Sequence, residues 1–181
     1  MEPGLRWWTA ADAAALRDAV AESPDLVAQL GDASLGSVRE CAATIEERLA
    51  DRRADAVNLA LTADGRAVGN IGVTRIERRH GTAWVSYWLT TSSRGRGLLT
   101  RGLTSTARWA HHDLDIFRLE LGHRVDNVAS CAVARAVGFG AEGLERAKLR
   151  YGDTRYDVET HARLATDPLP VGSGMRPPRI A

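Results

Sequence analysis

Two glycines separated by one residue, Gly95 and Gly97, suggest the clearest chemistry in the sequence, because an arginine precedes each of them (Arg94 and Arg96). Glycine has no Cβ, so the peptide N–H groups of such a run can approach an anion closely. The residues that follow have helical spacing, and the first turn of a helix adds unpaired N–H groups with partial positive charge. The run therefore predicts a binding site for a phosphate-bearing ligand.

Simpler interpretations of this run remain open. A glycine-rich helix cap has the same pattern and needs no ligand. A P-loop is excluded because no Gly-Lys-Ser/Thr triplet follows, and a dinucleotide fingerprint would need a third glycine. An RNA-binding Arg-Gly segment is repeated, whereas this run occurs once.

Asn127 and Ser130 lie at the predicted start of a later helix, where their simplest role is capping.

Glu120 is the first candidate for a general base. It lies in a predicted strand on the face opposite the strand's leucines, so its carboxylate could accept a proton directly or through water. The alternative role is an ion pair with Arg118 or Arg124. His123 and Asp126, at the end of the same strand, are weaker candidates.

No metal site is expected from the spacing of cysteine and histidine. Cys41 and Cys131 are the only cysteines, and neither belongs to a paired-thiol motif. His111 and His112 are adjacent, so on a helix their side chains point in different directions.

Alternation and helical spacing predict elements that position these residues. Strands are predicted at residues 4–8, 57–62, 67–76, 82–90, 117–124, 142–150 and 155–164. A helix should follow Thr9 to about Glu22, and a second should carry Cys41, Ile45 and Leu49 on one face. Two more helices are predicted at residues 98–112 and 128–137. A sheet covered by helices is the simplest packing of this order.

Composition narrows the class of protein. The chain has 181 residues, 44% of them hydrophobic, and a formal net charge of +1, which is typical of one soluble domain. No basic block indicates nucleic-acid binding, and no apolar run is long enough to span a membrane. No signal peptide is expected, since Met1 to Thr9 lacks an apolar core, and a reducing, cytoplasmic location is the default.

Several ordered motifs together resemble one family. They are Tyr87-Trp-Leu, Arg94-Gly-Arg-Gly, Arg118-Leu-Glu-Leu, and Asn127-x-x-Ser with Val137-Gly-Phe. With Leu5-Arg-Trp-Trp and the closing hairpin, residues 4–164 resemble the GNAT superfamily of N-acetyltransferases. Within it they resemble the RimJ/RimL type, whose members acetylate N-terminal amines of ribosomal proteins. Ser92 departs from the pattern, because the cofactor loop of the superfamily usually has Gln or Arg there.

The resemblance implies a GNAT fold of the α+β class: a mixed central sheet of about seven strands with helices on both faces. It also implies acetyl-CoA as cofactor. The main chain of Trp88, Leu89 and Thr90 would pair with the pantetheine arm, and the Leu89 amide would stabilise the oxyanion. The cofactor pyrophosphate would bind amides of Arg94, Gly95, Arg96, Gly97, Leu98 and Leu99. Asn127 would hydrogen-bond the cofactor arm, and Ser130 would protonate the departing thiolate.

The acceptor amine is constrained by the lack of an unambiguous base. An α-amine has a pKa of about 8, so an appreciable fraction is neutral at pH 7, whereas a lysine side chain has a pKa near 10.4. This favours an α-amine. The acceptor wall should come from the first two helices and residues 23–36.

The sequence therefore predicts an acetyl-CoA-dependent N-acetyltransferase acting on a primary amine. The N-terminal α-amine of a ribosomal protein is the family-based expectation. Alternatives are a small-molecule or antibiotic amine, or a non-catalytic acyl-CoA-binding regulator. The domain should span residues 1–166, with a Pro/Gly-rich tail at 167–181 outside the core. Direct nucleic-acid or membrane binding is not expected, and a homodimer is compatible with the sequence.

Overall fold

A computed structural model describes residues 2–23, 26, 30, 34–50, 53–168, 170 and 175–178. The strands in it are β1 (Pro3–Trp7), β2 (Ala56–Ala63), β3 (Arg66–Glu77), β4 (Thr82–Leu89), β5 (Arg118–Arg124), β6 (Gly140–Tyr151) and β7 (Thr154–Leu164). Within the described ranges they form one seven-stranded sheet in the order β1-β2-β3-β4-β5-β7-β6. Only β4 and β5 pair in parallel there, so the predicted mixed sheet is confirmed.

Helices cover both faces of this sheet. They are α1 (Ala13–Glu22), α2 (Val38–Thr44), α3 (Leu98–His112) and α4 (Val128–Ala136). The first two pack with Trp8, Ala60 and Trp88 in a cluster on one face. The others pack over the opposite face, where Leu103 of α3 and Ala134 of α4 share a larger cluster with the strands. Among the described residues, no helix combines the length and apolarity needed to cross a membrane.

The second predicted helix changes its winding before it ends. Ser37 caps α2, with its Oγ accepting a hydrogen bond from the Glu40 amide at 3.2 Å. The last turn, Ile45–Leu49, is a π-helix. There the carbonyl of Arg48 accepts a hydrogen bond from Asn58 Nδ2 at 3.1 Å. This side-chain bond ties the end of the helix to β2.

Gly102 lets α3 lie close to the sheet. A Cβ at this position would lie 3.0 Å from the terminal methyl groups of Ile71 and Leu61. The close approach buries Leu103 fully and fixes where the N-terminus of α3 projects. The predicted limits of this helix, residues 98–112, are those observed.

The C-terminal tail is not wholly outside the core, which corrects the expectation from composition. Met175 is 7% exposed and belongs to the core cluster on the α3 face. Its amide donates a hydrogen bond to Ser105 Oγ at 2.6 Å. Earlier in the tail, the carbonyl of Pro170 accepts a hydrogen bond from Arg108 Nη2 at 3.2 Å. An apolar side chain and main-chain hydrogen bonds thus hold part of the tail, despite its Pro/Gly-rich composition.

Candidate active site

The parallel strands β4 and β5 separate along their length. They pair at three positions, Thr82 with Arg118, Ala83 with Leu119 and Trp84 with Glu120. Beyond Trp84 the described residues of the two strands form no further pairs, although β4 continues to Leu89 and β5 to Arg124. The gap between their ends opens into a cavity of about 990 Å³.

The main chain of Leu89 faces this gap. The Thr90 amide donates to Val68 O at 2.8 Å, which makes Thr90 and Val68 a hydrogen-bonded pair. Such pairs alternate along an antiparallel ladder, so Trp88 bonds to Asn70 on β3, whereas Leu89 and Tyr87 direct their N–H groups away from β3. Of the three residues predicted to pair with a cofactor arm, only Leu89 offers an amide to the gap.

The turn after β4 is tied to the end of α1. The short 3₁₀ helix Thr91–Ser93 begins this turn. Its Thr91 amide donates to Ser23 Oγ at 2.9 Å, and its Ser92 amide donates to the carboxylate of Glu22. The amide of Ser92, the residue that departs from the family pattern, is therefore occupied within the protein.

The glycine run joins this turn to α3. Gly95 and Gly97 have φ values of +73° and +68°, a region that side chains rarely adopt, and nothing lies within 4 Å of an added Cβ at either position. Gly97 is the N-cap of α3, and the Arg101 amide makes a helical hydrogen bond to its carbonyl at 3.1 Å. The amides of Leu98 and Leu99 precede that bond, so they lack partners within the helix. The loop is exposed and combines peptide donors with the charges of Arg94 and Arg96.

Arg94 also supports the end of β4. Its Nε donates to the carbonyl of Leu89 at 3.1 Å. The cationic loop is thereby linked directly to the residue whose amide faces the gap.

Asn127 and Ser130 line the same cavity from the start of α4. Asn127 is the N-cap, with Oδ1 accepting from the Ser130 amide at 3.0 Å, so the capping interpretation is confirmed. The Tyr87 hydroxyl donates to the carbonyl of Ser130 at 3.2 Å, which connects β4 to α4 across the gap. Burial raises the pKa of Tyr87 to about 12, so its phenol stays protonated at neutral pH. Sequence reasoning missed this role of Tyr87, although the residue stands in the Tyr-Trp-Leu motif.

Glu120 lies apart from this group. Its carboxylate accepts from Arg118 Nε at 2.6 Å, so the alternative prediction of an ion pair is confirmed. Arg118 also binds Glu142. Glu120 lines a different cavity, of about 570 Å³, that does not include Ser130. Glu120 and Ser130 therefore line different cavities, and these two cavities share Trp84 and Leu121.

Asp126 lines the larger cavity but is also ion-paired, accepting from Arg124 Nε at 2.8 Å. The hydrogen bond from Arg124 lowers the pKa of Asp126 despite the opposing effect of desolvation. His123 lines the same cavity and is buried, with its Nδ1 3.0 Å from the carbonyl oxygen of Arg124 and its Nε2 3.0 Å from His161 Nε2. Each side-chain base predicted near the gap is thus engaged within the protein.

A chain of buried hydrogen bonds forms the floor of the cavity on the α1 and α2 side. Trp8 Nε1 donates to Asn70 Oδ1 at 2.8 Å, and Asn70 Nδ2 donates to Asn58 Oδ1 at 3.0 Å. Asn58 then binds the carbonyl of Arg48, as described above. The indole N–H of Trp88 is also buried here and has no hydrogen-bond partner among the described residues. The sequence analysis did not predict this chain of hydrogen bonds, and the feature that could have indicated it is asparagine within otherwise apolar strands.

Segments predicted to form the acceptor wall contribute side chains to this cavity, and their role in binding an acceptor stays a prediction. Arg48 and Leu49, which follow α2, line the cavity together with Leu30. Most of residues 23–36 lie outside the described residues.

Residues 4–140 match the model of the acetyltransferase (GNAT) domain. The chain belongs to the GNAT acetyltransferase family. It is 27% identical over 123 residues to the probable N-acetyltransferase YjcK of Bacillus subtilis, a match covering 67% of this chain and 68% of that protein. It is 32% identical over 97 residues to the ribosomal-protein-serine acetyltransferase of Escherichia coli, a match covering 54% of each protein.

A solved structure is similar over a longer range. It is a ribosomal-protein α-N-acetyltransferase, RimL, in complex with coenzyme A. The TM-score is 0.80 at 26% identity, and the match covers 88% of this chain and 92% of that one. The predicted GNAT fold and the resemblance to the RimJ/RimL type are both confirmed.

As a GNAT acetyltransferase the chain is an acyltransferase, and its cofactor is acetyl-CoA. The described residues fit that cofactor. The glycine loop leaves open space beside peptide donors, and the Leu89 amide points into the gap. The buried indole N–H of Trp88 has no hydrogen-bond partner among the described residues. Both features leave polar donors available for a ligand with a diphosphate and a polar, extended arm.

Proposed function

We propose that this chain transfers an acetyl group from acetyl-CoA to the N-terminal α-amine of a protein, with a ribosomal protein as the acceptor. The observation that carries the proposal is the amide of Leu89, the last residue of β4, which faces the gap between β4 and β5 before the turn that leads to the glycine loop. When bound, acetyl-CoA would supply an activated acetyl thioester. The ribosomal acceptor is supported by the activities for which two similar proteins are named, the ribosomal-protein-serine acetyltransferase of Escherichia coli and RimL.

Three sets of groups in the protein would bind the cofactor, stabilise the developing charge and transfer a proton. Amides of Gly95, Arg96, Gly97, Leu98 and Leu99, with the Arg94 and Arg96 side chains, would hold the diphosphate. The Leu89 N–H would donate to the acetyl oxygen, where negative charge develops during the reaction. The Ser130 hydroxyl would donate a proton to the departing thiolate, with Tyr87 and Asn127 positioning the first turn of α4.

The choice of an α-amine rests on the bases near the gap. Glu120 is paired with Arg118 and Asp126 with Arg124, so neither carboxylate is poised to deprotonate a strongly basic amine. An α-amine, with its pKa of about 8, needs the least deprotonation of the common protein amines at neutral pH. A ribosomal acceptor also implies that the protein acts in the cytoplasm.

The test compares three acceptors at the same acetyl-CoA concentration. The first is a peptide with a free N-terminal serine or alanine and no lysine. The second is the same peptide with a blocked N-terminus and one internal lysine, and the third is a panel of polyamines and aminoglycosides. Release of the coenzyme A thiol gives kcat/KM, and mass spectrometry locates the acetyl group.

We expect acetylation of the α-amine with a kcat/KM at least about tenfold above that of the blocked lysine peptide, because the two amines differ by about two pKa units. A preference for the lysine peptide or for a small amine would contradict the proposed acceptor. Binding of acetyl-CoA without turnover on any acceptor would instead support the non-catalytic alternative.

A further inference from the structure

Four side chains that commonly bind metals meet beneath α4, beside the cavity at the gap. They are His123 of β5, Cys131 of α4, and Glu159 and His161 of β7. One potential ligand atom from each lies within 4.8 Å of all the others. Strand pairing fixes three of them, because His123 is directly opposite Glu159 and Leu121 is opposite His161. Cys131 completes the group from the first turns of the helix above.

Main-chain carbonyls determine the tautomer of both histidines. His123 Nδ1 lies 3.0 Å from the carbonyl oxygen of Arg124, and His161 Nδ1 lies 3.3 Å from that of Phe139. A carbonyl oxygen only accepts hydrogen bonds, so each Nδ1 carries the hydrogen. In neutral imidazole the other nitrogen, Nε2, then has only a lone pair.

The two lone pairs point at the same place. The Nε2 atoms of His123 and His161 are 3.0 Å apart. The Glu159 Oε2 atom lies 2.9 Å from His161 Nε2 and 3.5 Å from His123 Nε2, and Cys131 Sγ lies 3.6 Å from the same oxygen. With both histidines neutral, electron-rich atoms converge here and no hydrogen lies between the two imidazoles, so the arrangement favours a metal cation or a shared proton at its centre.

We propose that His123, Cys131, Glu159 and His161 bind one divalent transition-metal ion, for which Zn²⁺ is the best match. Usual zinc bond lengths place the ligand atoms of a tetrahedral site about 3.3–3.6 Å apart. The separations above run from 2.9 to 3.6 Å, and all four atoms lie within 4.8 Å, so small side-chain movements would bring the four to that spacing. Two imidazoles, a thiolate and a carboxylate are borderline-soft donors typical of zinc. The thiolate and carboxylate also balance the charge of the ion, which makes its burial less costly.

The surroundings have the other features of a metal site. Hydrogen bonds from the second ring nitrogen to a carbonyl orient histidine ligands in metalloproteins, as they do for both histidines here. The imidazole side chains are 4% and 0% exposed, while that of Glu159 is 30% exposed and opens a path for the ion. Binding would release the Cys131 thiol proton and link β5 and β7 to α4, the helix that carries Ser130.

The sequence did not indicate this site, because its ligands come from three separate elements and show no fixed spacing. The inference does not depend on the proposed acceptor or on catalysis. It differs in kind from a shared proton, which would satisfy the same lone pairs by converting one imidazole into a hydrogen-bond donor. The experiment therefore distinguishes a metal ion from a proton.

The full-length protein is treated with a chelator, dialysed and titrated with Co²⁺, which reports ligand type and geometry by its absorption. We expect one equivalent to bind, with a near-ultraviolet thiolate-to-cobalt charge-transfer band and the strong visible bands of tetrahedral Co²⁺. Zn²⁺ should displace it. Cys131→Ser should abolish the charge-transfer band and weaken binding more than about tenfold.

Cys41→Ala is the matched control, since the chain has only two cysteines and Cys41 lies in the α2 cluster. It should retain the bands and the affinity. Zn²⁺ should raise the melting temperature of the wild type and of Cys41→Ala, but not that of Cys131→Ser, whose metal-free fold is checked by circular dichroism. Failure of wild-type protein to bind Co²⁺ stoichiometrically would overturn the proposal and leave the shared proton. Unchanged bands in a folded Cys131→Ser variant would overturn it equally.

Discussion

Gly97 has a positive φ, and a side chain added there would project into open space. A substitution at Gly97 should therefore affect ligand binding more than the packing of neighbouring residues. Gly97→Glu places a carboxylate at the N-terminus of α3, beside the proposed diphosphate site. Because like charges repel and the side chain would fill the cradle, we expect binding of coenzyme A to fall below detection by titration calorimetry.

Two controls separate this effect from backbone strain. Gly97→Ala tests the φ penalty alone, and Gly152→Glu repeats the substitution at another open glycine with φ +58°, in the β6–β7 turn. Both should retain most of the affinity. Affinity of Gly97→Glu equal to that of Gly152→Glu would place the diphosphate elsewhere.

The Leu89 amide can be removed without breaking a β3–β4 hydrogen bond, since it points away from β3. Leu89→Pro deletes this N–H, and Leu89→Ala keeps it while removing the same buried side chain. We expect Leu89→Pro to lower kcat about 10²–10³-fold relative to Leu89→Ala, the usual cost of losing one such donor. Steady-state release of coenzyme A measures it. Equal kcat values for the two folded variants would exclude a role for the amide.

At the scale of elements, an ion pair joins β1 to the start of α1. Asp12 accepts from Arg6 Nη1 at 2.7 Å and Nη2 at 2.6 Å, and from the Thr9 amide at 3.0 Å. Burial alone would raise the pKa of Asp12, but the hydrogen bonds from Arg6 and Thr9 outweigh it and lower the pKa below its ordinary value of 3.8. The charged form is thus the one that stabilises the fold.

Asp12→Asn should lower the free energy of unfolding at pH 7 by about 1.5–3 kcal/mol, the usual range for hydrogen bonds to a charged group. In the wild type, the ionised Asp12 carboxylate contributes fully to the free energy of unfolding above pH 3.8. This contribution is lost as the pH falls through the lower pKa that Asp12 has in the folded state. Urea unfolding across pH 2–7 should therefore show a smaller acid-induced loss in the variant. The control Asp153→Asn, at an exposed residue, should show the same dependence of unfolding free energy on pH as the wild type. The same dependence in Asp12→Asn would contradict a stabilising ion pair at Asp12.

The elements themselves were largely predictable, and for local reasons. The limits of α3 follow from a glycine cap and a strongly amphipathic stretch, and the β2–β3 hairpin from Asp64-Gly65, whose φ values are +49° and +80°. The π-helical turn at the end of α2 was not predictable. It is accompanied by a side-chain bond from Asn58, which lies on a strand that the local sequence does not place beside the helix.

At the scale of the whole molecule, the tail belongs to the folded domain at Met175. Met175→Ala should lower the free energy of unfolding by about 2 kcal/mol or more, because it leaves a cavity in the core cluster. Arg176→Ala, an exposed neighbour, should change it by less than about 0.5 kcal/mol. Urea unfolding measures both, and equal stability of the two variants would contradict packing of the tail.

Functional groups assembled from distant segments were predicted less well than the motifs. The glycine loop and the cap of α4 are continuous in sequence, so their residues could be named in advance. By contrast, Glu120 and Ser130 were each expected to transfer a proton at the site, yet they line different cavities. The meeting of His123 with His161 depends on the pairing of β5 with β7, which spacing alone does not reveal.

We propose that the glycine loop and the gap between β4 and β5 hold the cofactor. A crystal structure of the protein with coenzyme A would show where it binds. We expect diphosphate oxygens within hydrogen-bond distance of the amides between Gly95 and Leu99, with the pantetheine arm entering the gap at Leu89. Coenzyme A bound at another surface, with no contact to this loop or to Leu89, would contradict it.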